Sequence, residues 1–288
     1  MINFYDSASK GVKVISAESF NSENIIFKAL SYIKWVFANT HLINVITYIE
    51  LQKTVSRTKL SYLWWLLDPL FDFFCYLFLV MVLNRGQSFQ IPFALYIMTA
   101  IIPWHFTTNC INGSTRIWKS YTGLIGQIRF PYMCLLLSKY LSELSLYLST
   151  FVIVFGVCLY YGYYPKLTWL LLPVLVLLHS ILIGAMMLVF SIIGFVFQDF
   201  FKLLPFMMRV WFYVSPAIWS VSMLPEKYRP LIYLNPMSII FEAYRDLLLF
   251  GKIPDLKYTL IYLAILLPVF AISALLFIKK EPYINRYL

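Results

Sequence analysis

Residues 167–197 read LTWLLLPVLVLLHSILIGAMMLVFSIIGFVF, and no aspartate, glutamate, lysine or arginine interrupts them. A helix crossing the hydrocarbon core of a bilayer needs about 20 mostly apolar residues. This run exceeds that length, and it is not alone. Apolar stretches of spanning length occupy 62–84, 91–112, 132–161, 167–197, 200–222 and 258–278. The chain is 61% hydrophobic and only 12% charged, where a globular domain carries about 25% charged residues. So few charges cannot clothe a surface that faces water. The sequence predicts an all-α polytopic membrane protein with six transmembrane helices spread over 62–278. A soluble fold would need further amphipathic helices to cover these six, and the chain does not contain them.

Basic residues set the orientation. With the N-terminus inside, segments 1–61, 113–131, the turn at Asp199 and the tail 279–288 hold Lys and Arg over the outer segments by roughly two to one. That bias predicts cytoplasmic N- and C-termini. A net charge of +10 suits a protein beside anionic lipid and requires no nucleic-acid partner. Residues 1–33 lack the continuous apolar core of a cleavable signal peptide. Cys75, Cys110, Cys134 and Cys158 sit in or beside apolar spans without a CxxC pair, so they read as small buried hydrophobes. His41, His105 and His179 are scattered. No metal site and no bound cofactor are expected in this chain.

Ahead of the spans, 1–41 is expected to be a cytoplasmic segment that is partly disordered, because 1–33 shows no sustained period. Residues 42–61 change character. Leu42, Val45, Ile46, Ile49 and Val55 recur at helical spacing against Asn44, Gln52, Lys53, Arg57 and Lys59. An amphipathic helix lying at the headgroup level meets that pattern, as does a helix packed on a cytoplasmic neighbour. Segment 113–131 is the one sizeable internal cytoplasmic stretch, with Arg116, Lys119 and Arg129 among Ile117, Trp118 and Tyr121. A short amphipathic helix docking on a partner is its natural reading. It also mimics a phosphate-binding loop, with Gly113 followed by Trp118-Lys119-Ser120. The indole stands where a second glycine must let backbone amides close around phosphate, so no nucleotide site is read there.

The outer segment 223–257 is too long for a turn and too broken to span. Asn235 and Pro236 form a helix start, Asn as N-cap and Pro in the first turn, with Gly251 as the stop. Ile239, Ile240, Phe241, Leu247 and Leu248 would cover one side, and Glu242, Arg245 and Asp246 the other. An apolar hairpin outside the spans is expected to re-enter the bilayer edge, a gate-like position held by modest contacts. Its polar side would face the partner arm or a channel mouth.

Ionisable residues inside spans are costly and point to function or pairing. Lys139 and Glu143 lie four apart on one face and are expected to neutralise each other. Asp68 and Asp72 also share a face, so they should meet a cation such as Arg209 or line a wet cavity. Aromatics are abundant, with 22 Tyr, 25 Phe and 8 Trp, among them Trp64, Trp65, Trp104, Trp118, Trp211 and Trp219. Interfacial belts and packing account for most of them, and a minority would suit the C–H faces of sugars along a conduit.

Eight short motifs then follow in order. They are SYLWWLLDP at 61–69, Ile102-Pro103-Trp104, Arg129-Phe130-Pro131, Phe197-Gln198-Asp199, Ser215-Pro216, MLPEKYR at 223–229, Leu234-Asn235-Pro236 and Glu242-Ala243-Tyr244-Arg245. Together they resemble the permease subunits of type-2 ABC exporters for polysaccharides, the O-antigen, capsule and teichoic-acid group. Ser61 departs from that pattern, which typically has glycine there. The resemblance implies a homodimer in the cytoplasmic (inner) membrane, working with two copies of a separate cytoplasmic ATPase that holds ATP and Mg. It implies an interfacial helix at 42–61, a coupling helix within 113–131 (Arg116, Trp118, Lys119, Arg129) and an external gate at Asn235, Pro236, Glu242 and Arg245. The cargo would be a glycan on a polyprenyl diphosphate, met by Arg57 and Lys59 at the cytoplasmic mouth. It would pass between protomers along Trp64, Trp65, Asp68, Asp72, Trp104 and Arg209. Two other classes stay open: an exporter of drugs or simple lipids with the same architecture, and a polyprenyl-linked sugar transferase using Glu226, Glu242, Asp246 or Asp255.

Overall fold

The computed structural model describes residues 25–55, 67, 70, 71, 73–75, 78, 82, 92–127 and 130–287, with side chains at 25–28, 54, 55 and 284–287 left aside. Among the described residues the chain is helical, without strands. Ten α-helices run in order among the described residues: α1 Ile25–Ala38, α2 Thr40–Val55, α3 Phe93–Ser120, α4 Thr122–Ile125, α5 Met133–Tyr160, α6 Leu172–Val196, α7 Phe200–Val214, α8 Arg229–Ile232, α9 Pro236–Arg245 and α10 Leu256–Tyr287. A 3₁₀ turn, Leu167–Leu171, leads into α6, and a π turn, Asp246–Phe250, prolongs α9.

The centre of the molecule is α3. Every residue from Phe93 to Trp104 on it is buried. It packs on α5 and α6, and α6 packs in turn on α10. This position explains its composition. A helix walled by other helices need not be apolar all round, so it carries Thr99, Thr107, Thr108 and Asn109. Close approach to α6 depends on Gly194, where a Cβ would lie 2.8–2.9 Å from backbone and side-chain atoms of Thr115. Small residues let helix backbones meet in a membrane protein, and a methyl group here pushes the two helices apart.

Among the described residues three helices, Met133–Tyr160, Leu167–Val196 and Leu256–Tyr283, are long and apolar enough to cross a membrane. They match the third, fourth and sixth expected spans. The second expected span is α3, screened rather than lipid-grade. The fifth differs from expectation: α7 has 15 residues, about 22 Å of helix, and breaks at Ser215-Pro216 instead of continuing to 222. The first expected span lies mostly outside the described residues, although its Leu70 and Phe73 meet Met98, Ile101 and Ile153. Cys75 is exposed there, unlike the buried Cys110, Cys134 and Cys158.

Within the segment 1–41, expected to be partly disordered, residues 25–38 form a helix, and its Tyr32 has a buried partner. Glu281 on α10 accepts hydrogen bonds from the Tyr32 hydroxyl and, at 2.9 Å, from the Tyr132 N–H. The carboxylate therefore sits at the N-terminus of α5, where unpaired amides and the helix dipole favour a negative charge. Helices α1 and α10 are thereby fastened to one point at the start of α5. At its other end α5 stops at Gly162, whose φ of 80° is left-handed. Tyr163 N–H donates to Cys158 O and Gly162 N–H to Leu159 O, the bonding of a Schellman cap.

Candidate functional site

Two polar constructions stand out against this apolar background. The first holds the segment expected to be a gate. Asn235 caps α9 through Met237 N–H at 3.1 Å, as the sequence predicts, and also accepts from Trp211 Nε1 at 2.9 Å and donates to Ser215 Oγ at 2.8 Å. The break after α7 and the start of α9 are thus one unit. Pro236 occupies the first turn, where its missing N–H costs nothing.

Arg245 departs from expectation. It does not face a mouth; it is 3% exposed. Its Nη2 donates to the carbonyls of Pro216, Ala217 and Tyr96 at 2.8, 3.3 and 3.4 Å. Its guanidinium also lies 3.6 Å from the Tyr96 ring centroid. The break at 215–217 leaves carbonyls without helical partners, and one planar cation gathers them. Beside it, Tyr147 on α5 donates to the Tyr244 hydroxyl at 2.7 Å, and His179 on α6 meets Thr107 Oγ1 at 2.7 Å. Past the π turn, the carbonyls of Leu247, Leu248 and Leu249 accept from Thr168, Trp169 and Lys166 at 2.8, 3.2 and 3.2 Å. Gly251 closes the helix at φ 65°. This helix is bolted at its start, middle and end, contrary to the modest contacts expected. Of its polar side, Glu242 and Asp246 stay half-buried.

The arm before it is looser. Met223, Tyr228, Leu231 and Leu234 are exposed, and Arg229 holds the arm's shape through the carbonyls of Leu224 and Ser222. Its contact with α10 is the stack of Tyr233 on Tyr258, with centroids 4.4 Å apart.

The second construction joins α2, the end of α3 and α5. Lys139 and Glu143 pair at 2.7 Å, as expected, and Lys139 also lies 3.6 Å from Glu50 on α2. Glu50 accepts from Lys53 at 2.7 Å and from the Tyr121 hydroxyl at 2.5 Å, while Lys53 sits 4.2 Å over the Tyr121 ring. Gly113 makes room: a Cβ there would lie 2.4 Å from Lys139 Cε. Sequence spacing reveals the pair four apart on one helix, and it cannot reveal Glu50, which arrives from α2. On α2 itself the expected apolar face divides. Ile43 and Ile46 pack inward, and Val45, Tyr48 and Ile49 stay exposed.

Burial would raise the Glu50 pKa, but Lys53, Tyr121 and Lys139 outweigh it and hold the carboxyl below its usual value. A group more acidic in the folded than in the unfolded chain stabilises the fold above its unfolded pKa and loses that effect as pH falls through the folded one. Acidification below about pH 4.5 should therefore lower the unfolding midpoint of the native protein in detergent. Glu50→Gln should flatten that acid limb and leave less stability at neutral pH.

The remaining site expectations sort as follows. Arg57, Lys59, Trp64, Trp65, Asp68, Asp72 and Arg129 lie outside the described residues. Segment 113–131 is no loop at its start, since α3 runs to Ser120. Trp118 is buried at 3% exposure, its Nε1 donating to Ser191 O at 2.8 Å, so it is a packing residue and not part of a docking face. Arg116 and Lys119 are exposed. Trp104 is buried edge-on against Trp211, with centroids 5.4 Å apart. Arg209 is exposed, 5.7 Å from the Phe206 ring.

The ABC-2 type transporter family matches residues 25–249, from α1 through the bolted helix. The chain belongs to that family. Similar proteins include the O-antigen export system permease protein RfbA of Klebsiella pneumoniae, 25% identical over 77% of this chain and 85% of the relative. The protein of the same name from Myxococcus xanthus is 24% identical over 72% and 79%. The polysialic acid transport protein KpsM of Escherichia coli is 23% identical over 72% and 80%. As an ABC-2 family member with three such apolar helices, the chain is a multi-pass membrane protein.

Proposed function

We propose that this chain is the permease subunit of an ATP-driven exporter that moves a polyprenyl-diphosphate-linked polysaccharide, of the O-antigen kind, across the cytoplasmic membrane. The observation that carries this reading is that similar proteins covering 72–77% of the chain are named for O-antigen export and polysialic acid transport. The working unit is a homodimer of six-span subunits with both termini cytoplasmic, driven by two copies of a separate ATPase. Segment 42–61 is the interfacial helix, and the exposed Val45, Tyr48 and Ile49 suit a lipid-facing side. The tip beyond α3, with α4 and Arg129, docks on the ATPase. Movement there reaches the spans through the Glu50–Lys139 junction.

The polymer passes along the seam between protomers. On α7, Leu203, Phe206, Val210 and Tyr213 are exposed with Arg209 among them. A guanidinium facing lipid is costly, so this face suits a wet or subunit-lined position, and Asp68 and Asp72 are assigned to the same conduit. Arg57 and Lys59 receive the diphosphate. The bolted helix Pro236–Arg245 acts as the frame of an external gate within 223–257, and the arm at 221–234 is the part that moves.

A transferase reading needs acidic groups held free over an acceptor. Glu226 instead sits 3.6 Å from Arg229, and Asp255 accepts from Lys257 N–H at 2.9 Å. Removing the chain from its host should leave lipid-linked glycan accumulating inside and none at the surface. Normal surface glycan in such cells would reject the proposal. The gate has its own test. Tyr233→Cys and Tyr258→Cys, bridged by a short thiol cross-linker in a Cys75→Ser background, should stop export while the subunits stay assembled. Export that continues with the arm locked would leave the arm as a structural cap.

A further inference from the structure

At the end of the apolar stretch of α10, where α3 ends and α6 turns into α7, lies a cavity of about 1150 Å³. Arg116 and Lys119 line it from α3, and Lys280 from α10. Among the described residues, no carboxylate lies within ion-pair distance of these three cations, and none lines the cavity. The nearest compensation is aromatic: Lys280 Nζ lies 5.6 Å from the centroid of Tyr283, which also lines the cavity. The Arg116 guanidinium and the Lys119 ammonium lie 5.6 and 6.0 Å from the Phe201 centroid. A ring quadrupole offsets each charge only modestly, so the cluster remains strongly attractive to an anion.

The floor of this recess is closed. Trp118 forms it, fixed by its bond to Ser191 O and by stacking with Phe277 at 6.2 Å. On one side Ile192 and Val196 supply an apolar wall, and Val196 is 77% exposed. Lys280 stands just past Lys279 at the end of an apolar run over 258–278, which puts the cations at headgroup depth. Three features therefore coincide: unpaired cations at the membrane surface, an apolar wall running from them, and a dead end. A cargo in transit needs a path onward, and among the described residues Trp118 closes this one towards the helix bundle. A lipid that stays needs only a seat.

We propose that this cavity holds the phosphate headgroup of an anionic phospholipid from the surrounding bilayer, with its acyl chains along Ile192 and Val196. The bound lipid would tie the ends of α3, α6 and α10 together beside the ATPase-facing tip. The inference rests on the membrane placement of the chain and not on its cargo, so its failure would leave the export reading intact.

The test is native mass spectrometry of the purified chain in detergent, titrated separately with phosphatidylglycerol, phosphatidylcholine and a polyprenyl diphosphate. Phosphatidylglycerol should be retained over phosphatidylcholine. With each surface cation contributing a several-fold effect, Lys280→Gln should weaken retention about fivefold, and Arg116→Gln/Lys119→Gln/Lys280→Gln about a hundredfold. Lys280→Arg should restore it, and an unchanged helical spectrum will exclude misfolding. Equal retention of both phospholipids, or full retention by the triple variant, would overturn the proposal. Preferential retention of the polyprenyl diphosphate would overturn it too, by making the recess a cargo site. Loss of ATPase capture in the triple variant without any change in lipid retention would reassign the recess to protein docking.

Discussion

Arg245→Ala should abolish export and lower the unfolding free energy by about 3 kcal/mol, the scale of losing charge-assisted hydrogen bonds to buried acceptors. The loss does not come from an exposed gate charge, because Arg245 is buried. It comes from Pro216, Ala217 and Tyr96, whose carbonyls share one Nη2. Without the guanidinium Ala217 O loses this donor, Pro216 O keeps only the Tyr96 hydroxyl at 3.4 Å, Tyr96 O keeps the Thr99 hydroxyl at 2.9 Å, and the Tyr96 face loses its cation. Arg245→Lys should recover little. An ammonium is a point charge on a flexible stem, whereas the guanidinium lies flat on a ring while it donates sideways. The thermal midpoint in detergent and surface glycan measured in the same cells will check this. A variant that exports normally, with an unchanged midpoint, would show that the break after α7 closes by other means.

The Arg245 result also marks where sequence reading succeeds and where it stops. The helix Pro236–Arg245 was legible, because Asn235, Pro236 and Gly251 act on their own backbone neighbours and their chemistry is local. Three expected spans were legible for a similar reason, since lipid imposes its length and apolarity on each helix separately. The direction of a polar side chain is another matter. Glu242 and Arg245 fall on one face by spacing, but the carbonyls that capture Arg245 come from a break about 30 residues earlier and from α3. Nothing near Arg245 in the sequence announces them. Helix α1 shows the same limit. Residues 25–38 lack a strong apolar period, and what holds their Tyr32 is Glu281, near the far end of the chain. Trp118 was misplaced because a basic, aromatic stretch between spans looks like a docking loop. In the fold α3 runs straight through it, and Ser191 supplies the carbonyl that its indole N–H needs.

Lys139→Met should be the most damaging change at the junction of α2, α3 and α5. The substitution keeps much of the volume and removes the cation that two carboxylates share, Glu143 at 2.7 Å and Glu50 at 3.6 Å. Breaking a buried pair by deleting one partner costs about 3–5 kcal/mol, because the remaining charge is left without compensation. Glu50 retains Lys53 and the Tyr121 hydroxyl; Glu143 retains no other cation within ion-pair distance among the described residues. The damage should therefore fall on α5 first, and Lys139→Met/Glu143→Gln should recover a large part of the stability. Glu50→Gln added to Lys139→Met should recover less. Gly113→Ala supplies an independent check, since its Cβ would displace the Lys139 stem while every charge is kept. If the ion network couples α3 to the interfacial helix, Gly113→Ala should slow export more than it lowers the unfolding midpoint. Equal rescue of Lys139→Met by either glutamine would mean that the two carboxylates are interchangeable and that α2 is held on without the ion network, by Ile43, Ile46 and the Ser138 hydroxyl bonded to Ile43 O.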